Sequence, residues 1–440
     1  MALFFFLNLV AVLFKNPFQT AIHGWDNSFY YFWLRSPFVG GDFDFRDDIK
    51  ETDTLNWKGA KELASHQPVT ATGLLPNKYG IGWALSSVPF YLLAEAIVRF
   101  LNGFGVNIVR DGYGPTYQFM ILLGQFLYGG FSLYLSYGVL RKWFDKETAL
   151  IGVLLTWSCG FLFFYQVYEL SMAHNITYFA MAAAYFFAHR VEQDGRTNLQ
   201  CVLLGISSGL LVISRYQAVL YLLYPCLVVW RIVARDRKAL RRVWLCAASA
   251  MLVISLQMGA WRIVYGSWLV YSYGNEAFNW LNPQIWNVLF SPFHGLFYWS
   301  PIYVLSFLGL VHFITRQGGL PWSFLIIFLC VCLVNASWWI WWFGWAFGAR
   351  AFEGCVLFFM IGTAALFSNA AKKPVWRLAF LISFVAAAIF NVSLAYAAVK
   401  HDLPWGAPVT YRQMITVLHY SLVPEPILLL EEKIRTRLQK

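Results

Sequence analysis

The sequence predicts an all-α polytopic membrane protein, and three observations carry that prediction. Hydrophobic residues make up 59% of the 440 positions and charged residues 12%, where a soluble chain has about a quarter charged. Several apolar runs exceed the roughly 18 to 20 residues needed to cross a bilayer. The basic residues behind the net charge of +11 sit in short clusters between those runs. That is the pattern of the positive-inside rule and not of a nucleic-acid surface. A β-barrel would alternate over segments of about ten residues, whereas these runs are continuous. The seven cysteines, at 159, 201, 226, 246, 330, 332 and 355, lie in or beside the runs without metal or redox spacing. They read as small apolar packing residues.

Residues 1–14 are apolar, with no Lys or Arg before them and no small-residue cleavage site after them. They read as a short first span, not as a cleaved signal peptide. Ten further spans are expected at 116–139, 148–165, 175–189, 199–213, 216–231, 243–264, 300–315, 321–341, 351–369 and 375–398. The run 80–101 carries Pro89, Glu95 and Arg99, and charge decides its place. If it does not cross, Arg141, Lys142, Lys146, Arg190, Arg196, the dense run from Arg231 to Arg242, Arg316, Lys372, Lys373 and Arg377 all face the cytoplasm. It is therefore expected to be an interfacial or re-entrant helix inside one long outer loop, 15–115. The expectation is about eleven spans, N-terminus in and C-terminus out. Residues 1–398 then form one transmembrane domain and 399–440 an outer tail.

This topology gathers the chemistry on one face. Eight of the 22 acidic residues fall between Asp26 and Glu62, just after the first span. If 26–35 is a helix, Asp26, Tyr30 and Trp33 share a face. Asp26 reads either as a helix cap or as a general base, since carboxylates partly withdrawn from water gain basicity. Asp42-x-Asp44 followed by Asp47 and Asp48 fails as an EF-hand, because Asp47 and Asp53 stand where Gly and Glu are required. Asp44, Asp47 and Asp48 read as a solvated loop. Lys78, in the turn-rich stretch Pro76 to Gly82, is a lone cation suited to a lipid phosphate or to headgroup snorkelling. The outer turn Tyr168 to Asn175 brings Glu169 and His174 together. Arg215 splits the run 201–230, and a cation at that depth needs an anion, either a phosphate or an outer-loop carboxylate. Ser291 to Pro301, with His294, is an outer turn. Trp338 to Arg350 reads as an interfacial aromatic belt ending in a cation.

Two patterns are set aside. Gly205-Ile206-Ser207-Ser208-Gly209 has the form of a nucleophile elbow but lies within a hydrophobic span, where small residues pack helices. The acceptor-like tripeptides at Asn175, Asn335 and Asn391 also lie in or at spans.

The chain resembles the GT-C superfamily of integral-membrane glycosyltransferases, which use polyprenyl-phosphate sugars. It is most similar to the bacterial branch related to protein mannosyltransferases and lipid A aminoarabinose transferases. The resemblance runs through Gly24-Trp25-Asp26-Asn27 to Arg35 with Gly41-Asp42-Phe43-Asp44, and through Asn77-Lys78-Tyr79-Gly80-Ile81-Gly82. It continues in Ser291-Pro292-Phe293-His294-Gly295-Leu296-Phe297 and in Trp341 to Arg350. Family members usually carry a Pro-Pro pair where this chain has Asn77-Lys78-Tyr79. The large soluble C-terminal domain of the oligosaccharyl-transferring relatives has no counterpart in the 440 residues. The resemblance implies a GT-C-type bundle with a long outer first loop, a catalytic acid at Asp26 and a second acidic position at Glu169. It also implies donor-phosphate contacts at Lys78, Arg215 and Arg350.

The expected function is inverting transfer of a sugar from an undecaprenyl- or decaprenyl-phosphate type donor to a cell-envelope acceptor. The acceptor is a lipid, glycan or protein, and the protein sits in the bacterial inner membrane with its site on the periplasmic face. Asp26 is the base, and Asp42, Tyr30, His174 and His294 are candidate acceptor or sugar contacts. No organic cofactor, resident metal or nucleic-acid partner is expected. A lipid-linked glycan flippase would place ionisable groups at mid-membrane in repeated halves, and no internal repeat is visible. A lipid-linked ligase or polymerase would centre on a late loop such as 265–299 with His294.

Overall fold

The computed structural model describes residues 22, 24–54, 68–193, 197–399, 403–404 and 406–422, so the expected first span and most of the C-terminal tail lie outside the described residues. Seventeen α-helices appear among them: α1 Trp25–Arg35, α2 Phe45–Thr54, α3 Gly82–Gly103, α4 Pro115–Leu140, α5 Lys146–Ser158, α6 Phe161–Val167, α7 His174–Gln193, α8 Asn198–Ser214, α9 Leu223–Arg235, α10 Leu240–Tyr265, α11 Ile285–Phe290, α12 Leu296–Trp299, α13 Ile302–Gln317, α14 Trp322–Ser337, α15 Cys355–Ala370, α16 Pro374–Val399 and α17 Tyr411–Leu422. Each of the ten later spans expected from sequence is helical over most of its length, the span 321–341 ending early at Ser337. By length and composition five described helices can cross a membrane, α3, α4, α10, α16 and the stretch 216–235. The count is six if α5 and α6, bent by 82°, form one broken span. Four more apolar helices, α8, α13, α14 and α15, have 16 or 17 residues, or about 25 Å at 1.5 Å per residue.

The run 80–101 forms one unbroken 22-residue helix, α3, whose length and composition alone would let it cross a membrane; its interfacial placement stays a proposal drawn from charge. One expectation changes in detail: the run 148–165 is not straight. It breaks at Cys159–Gly160, where Asn391 donates to the freed carbonyls of Ser158 and Gly160 at 2.9 and 3.0 Å. A broken helix in an apolar setting needs such replacements for its lost backbone partners. A Cβ on Gly160 would lie 1.9 Å from the Tyr303 hydroxyl, so the bend is filled as well as bonded.

The described chain divides into two compact units. The first comprises Met1–Trp143, Tyr165–Ala277 and Gln317–Val331, the second Phe144–Phe164, Phe278–Arg316 and Cys332–Lys440. In the first unit α7 packs between α4 and α8, and α8 lies against α10. The serine pattern set aside above is the reason for that last approach. Built Cβ atoms on Gly205 and Gly209 would fall 2.2 Å from the Cys246 carbonyl and 2.7 Å from that of Ala250, the small-residue contact of membrane helices. In the second unit Gly309 and Gly362 play the same part between α13 and α15. Beside them the hydroxyls of Thr156, Ser306 and Thr363 satisfy one another at 2.7 and 2.8 Å. Asn175 and Asn335 donate to the Gln125 and Ala351 carbonyls, so both are internal hydrogen-bonding groups.

α7 fixes the polarity of the first unit. His174 stands at its start and Glu192 near its end, about 27 Å apart along the axis. At the Glu192 end, Lys142 lies 2.6 Å and Arg231 3.6 Å from the carboxylate, next to the dense basic run. The candidate site lies at the other end.

Candidate active site

α1 supplies the frame of the site. Its N-cap is Gly24, with φ of 104° and no side-chain cap, a backbone geometry that favours glycine. Asp26 is therefore not the cap. It sits in the first turn, where the helix dipole favours a negative charge. The segment Asn77–Tyr79 is clamped along the same helix. Asn77 donates to the Phe29 carbonyl at 2.8 Å, Trp33 Nε1 donates to the Tyr79 carbonyl at 2.9 Å, and the Tyr79 hydroxyl donates to Asp26 Oδ1 at 2.5 Å. The Tyr30 and Tyr79 rings pack at 4.8 Å. Burial, and then the Asp26 carboxylate, push the Tyr79 phenol well above its ordinary value.

Gly80 and Gly82 let this segment press onto the end of α8. A Cβ on Gly80 would meet the Ile213 carbonyl oxygen at 2.1 Å, and one on Gly82 would meet Ser214 Cα at 2.6 Å. Both neighbours are backbone, which cannot swing aside. Gly82→Ala is therefore expected to destabilise the protein by about 1 to 3 kcal/mol through overpacking, measured as a lowered melting temperature in detergent; an unchanged value would remove this role.

That contact sets Arg215, which ends α8 in an extended conformation. Its Nη1 lies 2.6 Å from His174 Nδ1, and the Gln217 amide oxygen, turned toward it, accepts from Nε at 3.0 Å and Nη2 at 2.6 Å. His174 is buried against the Tyr165 ring at 4.6 Å. Glu169 joins from the preceding turn. Its Oε1 accepts from Asn27 Nδ2 at 2.8 Å and from Ser171 Oγ at 3.0 Å, tying it to the residue beside Asp26.

Lys78 is not a lone cation. It forms an ion pair with Glu276, and its ammonium lies 5.4 Å over the Tyr273 ring and 5.5 Å over the Tyr79 ring. Ser272 donates to the Lys78 carbonyl at 2.8 Å, so the loop after α10 is held at both side chain and backbone. The Tyr273 phenol is pushed up to about 12, chiefly by burial; Arg215 pulls it down while Asp26 and Glu276 raise it further. It thus senses a cation and two carboxylates at once.

The first unit brings Asp26, Tyr30, Lys78, Glu169, His174 and Arg215 into one connected cluster. Asp42 lies outside that cluster: its Oδ1 accepts from the Asp44 amide at 2.9 Å and sits 3.5 Å from Ser36 Oγ, in the chain that follows the far end of α1. It shapes the turn into α2. The expected solvated loop also needs correcting at Asp48, which is buried and bound to Arg35 Nη1 at 2.9 Å and the Tyr113 hydroxyl at 2.8 Å. The reason is that 45–54 is a helix, whose inward face takes Phe45, Asp48 and Thr52. Asp44 and Asp47 stay at the surface with Arg46 and Lys50.

His294 and Arg350 belong to the second unit. Arg350 Nη2 donates to the Phe343 carbonyl at 2.6 Å and closes the aromatic stretch on itself. Trp342 stacks on Phe293 at 5.3 Å, while Trp345 is exposed. His294 is buried with φ of 64°, and its Nδ1 meets the Trp342 carbonyl at 2.9 Å. Burial first, and Arg350 with it, push its imidazole down to about 4 despite that carbonyl. An unfolded histidine takes up a proton near 6.5 and this buried one only near 4. Its contribution is therefore complete above 6.5 and is lost as pH falls toward 4, by at most about 3 kcal/mol. Melting curves between pH 7 and 4.5 should fall less steeply in His294→Gln; equal slopes would remove the effect.

Tyr79, Glu276, Tyr273, Asn27 and Ser171 were not singled out from sequence. One signal was available for Glu276, the only acidic residue between Asp236 and Glu353. Among the described residues no three His, Cys, Asp or Glu side chains gather to hold a metal ion.

Residues 114–261, a third of the chain, match the model of the family described as dolichyl-phosphate-mannose-protein mannosyltransferase. ArnT from Cupriavidus metallidurans in the apo state superimposes at a TM-score of 0.51 and 13% identity, covering 96% of this chain and 74% of ArnT. The Archaeoglobus fulgidus oligosaccharyltransferase in the apo form gives 0.51 and 12%, covering 93% of this chain and 57% of its own. The chain thus spans little more than half of that enzyme. No curated protein matches it at a significant level. The common architecture is the GT-C fold.

Proposed function

We propose that this membrane glycosyltransferase of the GT-C fold moves a sugar from a polyprenyl phosphate to a hydroxyl acceptor of the cell envelope, on the outer face, with inversion. The observation that carries the reading is the juxtaposition of a carboxylate, Asp26, with two cations, Lys78 and Arg215, at one end of one unit. A phosphate-linked donor needs that set. The acceptor hydroxyl attacks the anomeric carbon and passes its proton to Asp26, while the bond from that carbon to the phosphate oxygen breaks. The leaving group is a polyprenyl phosphate, already a good anion, so the cations stabilise its growing charge and no acid is required. Lys78 exchanges Glu276 for the phosphate when the donor arrives. Glu169, bound to Asn27, holds the turn against α1 and faces the sugar with His174. The donor class is supported by the name of the matched family, and an undecaprenyl or decaprenyl chain fits a bacterial inner membrane. Arg350 and His294 stay proposed phosphate and acceptor contacts on the resemblance alone.

The reading is tested by offering purified protein in nanodiscs a panel of polyprenyl monophosphate and diphosphate sugars, with envelope lipids, glycans and proteins as acceptors. Mass spectrometry should show transfer from a monophosphate donor. Turnover of diphosphate-linked chains alone would replace this reading with that of a ligase.

A further inference from the structure

We infer that Tyr79 is the positioning residue of Asp26, its phenol fixing the carboxylate in the rotation that accepts the proton. The inference rests on the proposed role of Asp26. A carboxylate turns easily about its last side-chain bond, because that torsion has broad minima. A base that rotates spends part of its time misdirected, and small errors of placement are costly in catalysis. One hydrogen bond from an immobile donor removes the freedom.

Tyr79 is such a donor. It is 6% exposed, and it is held on the same helix that carries Asp26. Its carbonyl accepts from Trp33 Nε1 at 2.9 Å, and its amide donates to Asn77 Oδ1 at 3.3 Å. Asn77 is itself bound to the Phe29 carbonyl at 2.8 Å. The Tyr79 ring is wedged against Tyr30 at 4.8 Å and Phe29 at 6.3 Å, with the Lys78 ammonium above it. Base and donor therefore sit on one hydrogen-bonded frame built on α1. The phenol also keeps its proton. Burial and the neighbouring carboxylate hold it protonated well past neutral pH, so it donates throughout the working range and does not compete for the acceptor's proton. The residue acts through Asp26 and does not itself touch the reacting atoms.

Tyr79→Phe deletes the hydroxyl and retains the ring, the amide and the carbonyl, so the clamp on α1 survives. The experiment compares wild type, Tyr79→Phe and Asp26→Asn in nanodiscs, measuring kcat, donor KM, melting temperature and binding of polyprenyl phosphate without sugar. Tyr79→Phe is expected to lower kcat by about 10- to 100-fold, with donor KM, melting temperature and polyprenyl phosphate binding at wild-type values. A merely structural tyrosine would instead lower the melting temperature or raise KM, and either pattern with an unchanged kcat per folded molecule overturns the inference. Wild-type kcat in Tyr79→Phe overturns it too. The two layers separate cleanly. If Asp26→Asn is inactive while Tyr79→Phe matches wild type, only the positioning role fails. If Asp26→Asn is fully active, the base assignment fails and takes this inference with it.

Discussion

Asp26→Asn is expected to reduce kcat by about 10²- to 10⁴-fold, the usual contribution of a positioned general base, without loss of folding or donor binding. The structure explains why the lesion should be confined to chemistry. Asparagine has the shape of aspartate, and its amide oxygen can still accept from the Tyr79 hydroxyl that now bonds Oδ1. The clamp of Asn77 and Tyr79 on α1 does not depend on the charge at position 26. Lys78 and Arg215, the proposed phosphate ligands, are untouched by the substitution. The assay is transfer from a polyprenyl-phosphate sugar, with melting temperature and polyprenyl phosphate binding measured in parallel. Full transfer by Asp26→Asn would remove the residue from the mechanism, and collapse of folding would reassign it to the scaffold.

Arg215→Ala carries the second largest expected effect. A preorganised donor facing developing charge is commonly worth about 10²- to 10³-fold, and kcat/KM should fall by that order. Donor affinity should fall with it, because the proposed role has the guanidinium contact the phosphate before and after the bond breaks. Arg215→Lys should recover only part of the loss, since an ammonium lacks the planar fork. The contacts to His174 and Gln217 offer a competing account in which Arg215 only ties α8 to α7. That account predicts a lowered melting temperature with wild-type polyprenyl phosphate binding. Calorimetric binding of polyprenyl phosphate to Arg215→Ala decides between them.

Much of the architecture was legible because the membrane imposes it. Long apolar runs must be helical when no water can satisfy their backbone, and ten such runs are helices here. The shared face of Asp26 and Tyr30 was legible from a 3.6-residue period. Arg215 stood out because a cation inside an apolar run demands an explanation. Asp48 was not legible as a buried partner of Arg35, since a run of four acids within seven residues reads as solvent-facing until helix α2 gives it an inward side. The partner of Lys78 was hidden by distance, 198 residues along the chain, and no local pattern pairs residues so far apart. The bend at Cys159–Gly160 was hidden for a similar reason. The side chain that makes it tolerable, Asn391, belongs to a helix more than two hundred residues away.

The central claim is that Asp26 takes a proton and does not attack the sugar. The most direct measurement is a single turnover with an anomerically pure polyprenyl-phosphate sugar, with the product linkage read by NMR. Inverted configuration, with no sugar attached to the protein when the reaction is quenched, is the result this account predicts. Retained configuration, or a glycosylated Asp26 trapped on quenching, would make the carboxylate a nucleophile and contradict it.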